Sequence, residues 1–154
     1  MGLWGFKDGV WYRLREYYYD ARREGMMRTD EQHYAALERL CSGLPVECVV
    51  VDPSAASFIA CIISHRKYRV IRAKNDVLSG IRLVSEALVQ DRLRFASGCE
   101  DCLREFGQYC WNENAAGDVP RKEHDHAMDD VRYFVSTVLH GRTDADFAAM
   151  SVGR

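Results

Sequence analysis

The sequence predicts an α/β domain with a mixed sheet. Two β-favouring runs flank Asp8-Gly9 near the start, and Asp-Gly is a strong short-range hairpin signal. Residues 46–52, Val-Glu-Cys-Val-Val-Val-Asp, are apolar almost throughout, as expected for a strand covered on both faces. Beyond them, stripes at helical spacing alternate with short strand-like segments, which is the order of an α/β fold.

From the start, Leu3–Phe6 and Val10–Tyr19 form the hairpin, with Trp11, Leu14, Tyr17, Tyr18 and Tyr19 as its β-favouring bulk. A polar link, 20–28, leads to Thr29-Asp-Glu-Gln32, a capping box. Tyr34, Leu37, Leu40 and Cys41 recur at helical spacing until Gly43 stops that helix. After strand 46–52, Ser54 is placed to cap a second helix carrying Ala55, Phe58, Ile59 and Ile62. Residues 68–73 read as a strand, and Asn75 or Asp76 opens a third helix with Val77, Ile81, Val84 and Leu88 on one stripe. A short strand, 92–95, precedes a helix over 97–109, and residues 111–122 read as a loop. The last helix runs from about His124 to His140, burying Met128, Val131, Phe134, Val135 and Val138, and Gly141 ends it. One domain, 1–140, is thus followed by a polar tail, 141–154.

At 154 residues and 47% hydrophobic composition, the chain can bury one real core. A net charge of −2 supplies no global field toward nucleic acid, so any such contact rests on local patches. Arg22, Arg23 and Arg28 form one, and Arg66, Lys67, Arg69, Arg72 and Lys74 another. No apolar run approaches a membrane span and no signal-peptide pattern opens the chain, so a cytoplasmic location without membrane contact is expected. Among six cysteines, Cys99 and Cys102 with Cys110 and His124 downstream invite a zinc reading. Their spacing is irregular and 97–109 reads as one helix, which favours thiols acting as small hydrophobes.

The chemistry concentrates in two acidic places. Asp52 ends the apolar strand, on the side where open α/β sheets place ligand chemistry. Asp125, His126, Asp129 and Asp130 open the last helix, where i, i+3 and i, i+4 spacing aims side chains together. The plain alternatives are helix capping by Asp52, worth about 1 kcal/mol, and dipole complementation by the later aspartates, roughly 0.3–1 kcal/mol each. Yet Asp125 and Asp129 repel one another at i, i+4, and so dense a cluster favours a cation. Brought together, the two sets would form an oxygen-rich pocket with one imidazole, suited to Mg²⁺ or Mn²⁺ and to two-metal nuclease chemistry.

Five blocks carry a resemblance. They are Glu16-Tyr-Tyr-Tyr-Asp20; Val51-Asp52-Pro53-Ser54-Ala55; Ala73-Lys74-Asn75-Asp76-Val77-Leu78-Ser79-Gly80-Ile81; Arg104-Glu105-Phe106 with Tyr109-Cys-Trp111; and Lys122-Glu-His-Asp125-His126-Ala-Met-Asp129-Asp-Val-Arg132-Tyr133. In this order they resemble the C-terminal nuclease domain of tailed-phage terminase large subunits, over residues 9–139. The resemblance implies an RNase H-like mixed sheet flanked by helices, and Mg²⁺- or Mn²⁺-dependent cutting of concatemeric viral DNA during packaging. It implies double-stranded DNA, a terminase ATPase domain, a small subunit and a portal as partners, in a bacterial host cell. Asp52 and Asp129 match metal-binding carboxylates, His126 a histidine adjoining the metals, and Asp125 a further ligand or a group that holds one in place. Lys122, with Arg72 and Lys74, would touch phosphates.

The resemblance begins at the family's second strand. The first, central strand, whose aspartate is a metal ligand, has no counterpart, and no Gly-x-x-x-x-Gly-Lys-Ser/Thr occurs anywhere. A fragment, or the product of a decayed or split prophage gene, is the expectation, with a gap between strands 10–19 and 46–52. The alternative function is a catalytically incomplete remnant acting as a DNA- or protein-binding module.

Overall fold

Asp8 and Gly9 both take positive φ, 51° and 82°, the backbone of a two-residue type I′ turn. The turn joins β1 (Gly2–Lys7) to β2 (Val10–Glu16) in antiparallel register, with Lys7 opposite Val10. The computed structural model describes residues 1–112, 117–121, 123 and 125–141; the expected tail from 142 onward, and 113–116 and 122 of the expected loop, lie outside them. β2 ends at Glu16 rather than Tyr19, and Asp20 instead caps a one-turn helix, α1 (Ala21–Glu24), within the expected polar link. The capping box at Thr29 and Gln32 opens α2 (Asp30–Leu40) as expected.

β3 (Val49–Val51), α3 (Ala56–Ser64) and β4 (Val70–Arg72) follow, the strands parallel with Val51 opposite Arg72. Ala55, not Ser54, stands at the cap of α3, because the Ser54 hydroxyl is committed to Asp52. Next come α4 (Val77–Val89), capped by Asp76, β5 (Leu93–Phe95) and α5 (Glu100–Phe106). The last helix is α6 (His126–Phe134), which widens into a π turn over Val135–Leu139. Strands 46–52, 68–73 and 92–95 are each shorter than their β-favouring runs, since a ladder extends only where a neighbour runs alongside. The 97–109 helix likewise contracts to 100–106.

The sheet stands in two pieces, β1-β2-β5 and β3-β4. β5 takes the free edge of β2 in parallel, Trp11 opposite Leu93. The gap therefore lies beside β1, not beside residues 10–19 as the sequence suggested. It is a cleft of about 530 Å³ between β1 and residues 45–50, reaching Tyr133, Phe134 and Val138. Trp4 stacks on Phe134 at 4.2 Å, tying α6 to β1 along that cleft. One core gathers Val131, Val135 and Ala87 from α6, the π turn and α4 against Trp11 and Leu93. The other packs Leu37, Ile59 and Ile62 from α2 and α3 against Val51 and Leu3. Among the described residues no helix is long and apolar enough to cross a membrane.

Candidate functional site

Asp52 follows β3 directly, so the strand aims its carboxylate out of the sheet's C-terminal edge. One oxygen accepts the Ser54 backbone N–H and hydroxyl, both at 2.8 Å, and the other accepts the Tyr133 hydroxyl at 2.5 Å. Burial acts to raise the Asp52 pKa, but the bonds from Tyr133 and Ser54 and the Arg132 charge outweigh it, holding the carboxyl below its ordinary value. Burial, then the bond to Asp52, pushes the Tyr133 phenol up, so it remains a donor.

Asp129 sits one turn before Arg132 on α6. Arg132 is buried at 4% exposure and donates to Asp129 at 2.6 Å, and to the backbone carbonyls of Asn75 and Asp76 at 2.8 and 3.3 Å. Its guanidinium lies 4.8 Å from the Tyr133 ring centroid. Gly80 makes this passage: a Cβ there would overlap the Arg132 side chain. The block 73–81 is therefore a socket for Arg132, with Asp76 capping α4, two carbonyls accepting and Gly80 leaving room.

α6 has no side-chain cap of its own from Asp125. A buried carboxylate from α5 caps it instead: Glu105 accepts the backbone N–H groups of Ala127 and Met128 and the Tyr18 hydroxyl. Asp125, half-buried, and His126, exposed with its ring 6.4 Å from that of Tyr18, occupy the turn so capped. Tyr109 faces it too; burial raises its phenol pKa, and the charges of Asp129 and Asp125 add to that.

Asp52 and Asp129 thus flank one consecutive pair, Arg132 and Tyr133, although 77 positions separate them (129 minus 52). Their oxygens suit a hard cation. Among the described residues, however, these acids and His126 do not draw together as a three-ligand group; the side chains that do are Glu31, Cys61 and His65. Arg132 is ion-paired with Asp129, and its charge also acts on Asp52. Arg72 and Lys74 are exposed at the end of β4, the Lys74 N–H bonded to Thr137 at 2.9 Å. Lys122 and His124 lie outside the described residues. Cys99 and Cys102 are fully buried while Cys110 is exposed, so the expectation of packed thiols is met at the first two.

The sequence places Arg132, Tyr133, Glu105 and Gly80 within the resembling blocks but gives none of them a role. The signal available was a buried charge type within an otherwise apolar helix face.

Comparison with protein-family models and with curated proteins finds no match. Among solved structures the chain is similar to the large terminase of a thermophilic bacteriophage, in complex with ADP and in complex with ATP-gamma-S. Each has a TM-score of 0.85 and 44% identity, over 90% of this chain and 36% of that one. Fold and likeness together define a mixed α/β domain of the kind found within a viral terminase. The chain belongs to the phage large-terminase family, and it spans 36% of the length of the relatives it matches.

Proposed function

We propose that this chain is a divalent-metal-dependent endonuclease domain of a phage or prophage terminase large subunit, cutting concatemeric viral DNA during packaging in a bacterial cytoplasm. The observation that supports it most is the Arg132–Tyr133 pair, which holds Asp52 and Asp129 at one edge of the sheet. Asp52 and Asp129, with Asp125, would hold Mg²⁺ or Mn²⁺. When bound, the cation would polarise the scissile phosphate and lower the pKa of an attacking water.

The chain's own residues would do the rest. Tyr133 and Ser54 orient Asp52, and Arg132 holds Asp129 in place. His126, exposed on the first turn of α6, would orient the water or take its proton. Arg72, Lys74 and Lys122 would meet phosphates of double-stranded DNA, giving salt-dependent affinity without a base code. The ATPase domain, small subunit and portal are the partners of the same proposal.

A second reading, a catalytically incomplete remnant that binds DNA or protein, is favoured by the lack of a three-ligand acidic group among the described residues. Calorimetry with Mn²⁺ and a plasmid-nicking assay test both. The nuclease reading expects weak Mn²⁺ binding, lost in Asp52→Asn with the circular dichroism spectrum unchanged. Unchanged affinity in that variant would overturn the assignment, and binding without nicking in any metal favours the remnant.

A further inference from the structure

Cys61 and His65 stand one helical turn apart at the end of α3, on the face packed toward the start of α2. Glu31, in the first turn of α2, meets both. The Cys61 thiol lies 3.4 Å from Glu31 Oε1, and His65 Nε2 lies 3.0 Å from Glu31 Oε2. One sulfur, one imidazole nitrogen and one carboxylate oxygen thus fall within 4.8 Å of one another. Tetrahedral zinc, with bonds of ~2.0–2.3 Å, needs ligand atoms about 3.3–3.6 Å apart, so these side chains need only small adjustments to hold it.

The imidazole is already aimed. Its ring stacks on buried Tyr34, 3.7 Å between centroids and 6° from parallel, which fixes the plane in which Nε2 faces Glu31. Tyr34 is itself anchored in the core with Leu37 and Ile62. Two of the three ligands therefore sit on one helix and the third on its packed neighbour, an arrangement that resists the drift of exposed side chains.

We propose that Glu31, Cys61 and His65 form a transition-metal site for Zn²⁺ that clips α2 to α3. The thiolate is too soft a ligand for Mg²⁺ or Mn²⁺, so this site is chemically separate from the acidic residues around Asp52 and Asp129. Water takes the fourth position, because only three protein ligands converge among the described residues and the site faces solvent. Binding converts Cys61–SH to a zinc-bound thiolate and releases one proton to solvent, so affinity rises with pH. In the metal-free protein burial, and then Glu31, keeps that thiol protonated.

Cobalt reports the site directly, since a thiolate ligand gives Co²⁺ an intense near-ultraviolet charge-transfer band and tetrahedral geometry gives visible bands. The untagged 154-residue chain, reduced and titrated with Co²⁺, is expected to develop both at one equivalent and to lose them when Zn²⁺ is added. Cys61→Ser abolishes the charge-transfer band, and His65→Ala and the surface variant Glu31→Gln each weaken binding at least tenfold. Asp52→Asn, Asp129→Ala and Cys110→Ser leave the titration unchanged, which keeps this outcome independent of the nuclease reading. Absence of the band, or a band that survives Cys61→Ser and vanishes in Cys110→Ser, would overturn the proposal.

Discussion

Glu105 on α5 accepts the backbone N–H of Ala127 on α6 at 2.7 Å. The same device occurs one step earlier, where Glu16 at the end of β2 accepts the N–H groups of Asp101 and Cys102 at the start of α5. Two remote carboxylate caps in series thus carry position from the hairpin to α5, and from α5 to the turn bearing Asp125, His126 and Asp129. The acidic turn is set from outside, by carboxylates on other elements.

Removing the second cap should unfasten α6. Glu105→Ala strands two backbone donors and the Tyr18 hydroxyl in a buried place, where an unmet donor costs about 1–3 kcal/mol. The expected loss is roughly 2–4 kcal/mol in urea unfolding, and Glu105→Gln, which keeps an acceptor, should lose less than half of that. Equal losses in the two variants would mean that the side chain merely fills space.

Gly80→Ala is expected to destabilise by about 1–3 kcal/mol, the usual cost of overpacking. The added methyl meets Arg132 Cγ and Cδ, and the guanidinium cannot yield without leaving the Asn75 and Asp76 carbonyls unpaired. A double variant with Arg132→Ala should recover part of the Gly80→Ala loss, as a double-mutant cycle in denaturant would read out.

The hairpin, the capping box, the order of elements and the two acidic places were legible because each rests on a local pattern: Asp-Gly, Thr-x-x-Gln, period 3.6 and a strand-end carboxylate. The break in the sheet was half legible. The blocks lead to the expectation of a break beside the hairpin, but which edge it opens depends on β5 pairing with β2, and pairing between residues 82 positions apart (Trp11 and Leu93) leaves no local mark. Arg132 escaped notice for the same reason: an arginine at a helical i+3 from Asp129 reads as a surface pair until Gly80 and two distant carbonyls are seen to enclose it. Glu31, Cys61 and His65 meet only because α2 packs on α3, which no periodicity announces.

Thiol reactivity should separate the cysteines sharply. The Cys102 thiol is pushed up to about 12 by burial, and Cys99 is raised by burial as well. Because the thiolate is the nucleophile, both should stay unlabelled by a disulfide reagent at about pH 8 in the folded chain and react only as it unfolds. Cys110, exposed, should label at once. Fast labelling of Cys102 in native protein would show that the α5 core opens readily.

The cleft beside β1 gives the last expectation. Among the described residues β1 has a strand neighbour only in β2, and β3 only in β4, and an apolar space of about 530 Å³ lined by Trp4, Val46, Val49 and Phe134 lies between them. An extended apolar segment laid there would join the two pieces into one sheet, with a ladder on each side. An aspartate at its end, beside Asp52, would bring a further carboxylate to the acidic edge. The 154-residue chain is therefore expected to cut plasmid DNA poorly, because misplacing reacting atoms by about 1 Å can cost around a hundredfold in rate. Extending it upstream with an apolar strand that ends in aspartate should raise both thermal stability and Mn²⁺-dependent nicking. The same extension ending in asparagine should raise stability alone, which separates filling the sheet from completing the site. Robust Mn²⁺-dependent nicking by the unextended chain, lost in Asp129→Ala, would show that the metals find another ligand within these residues.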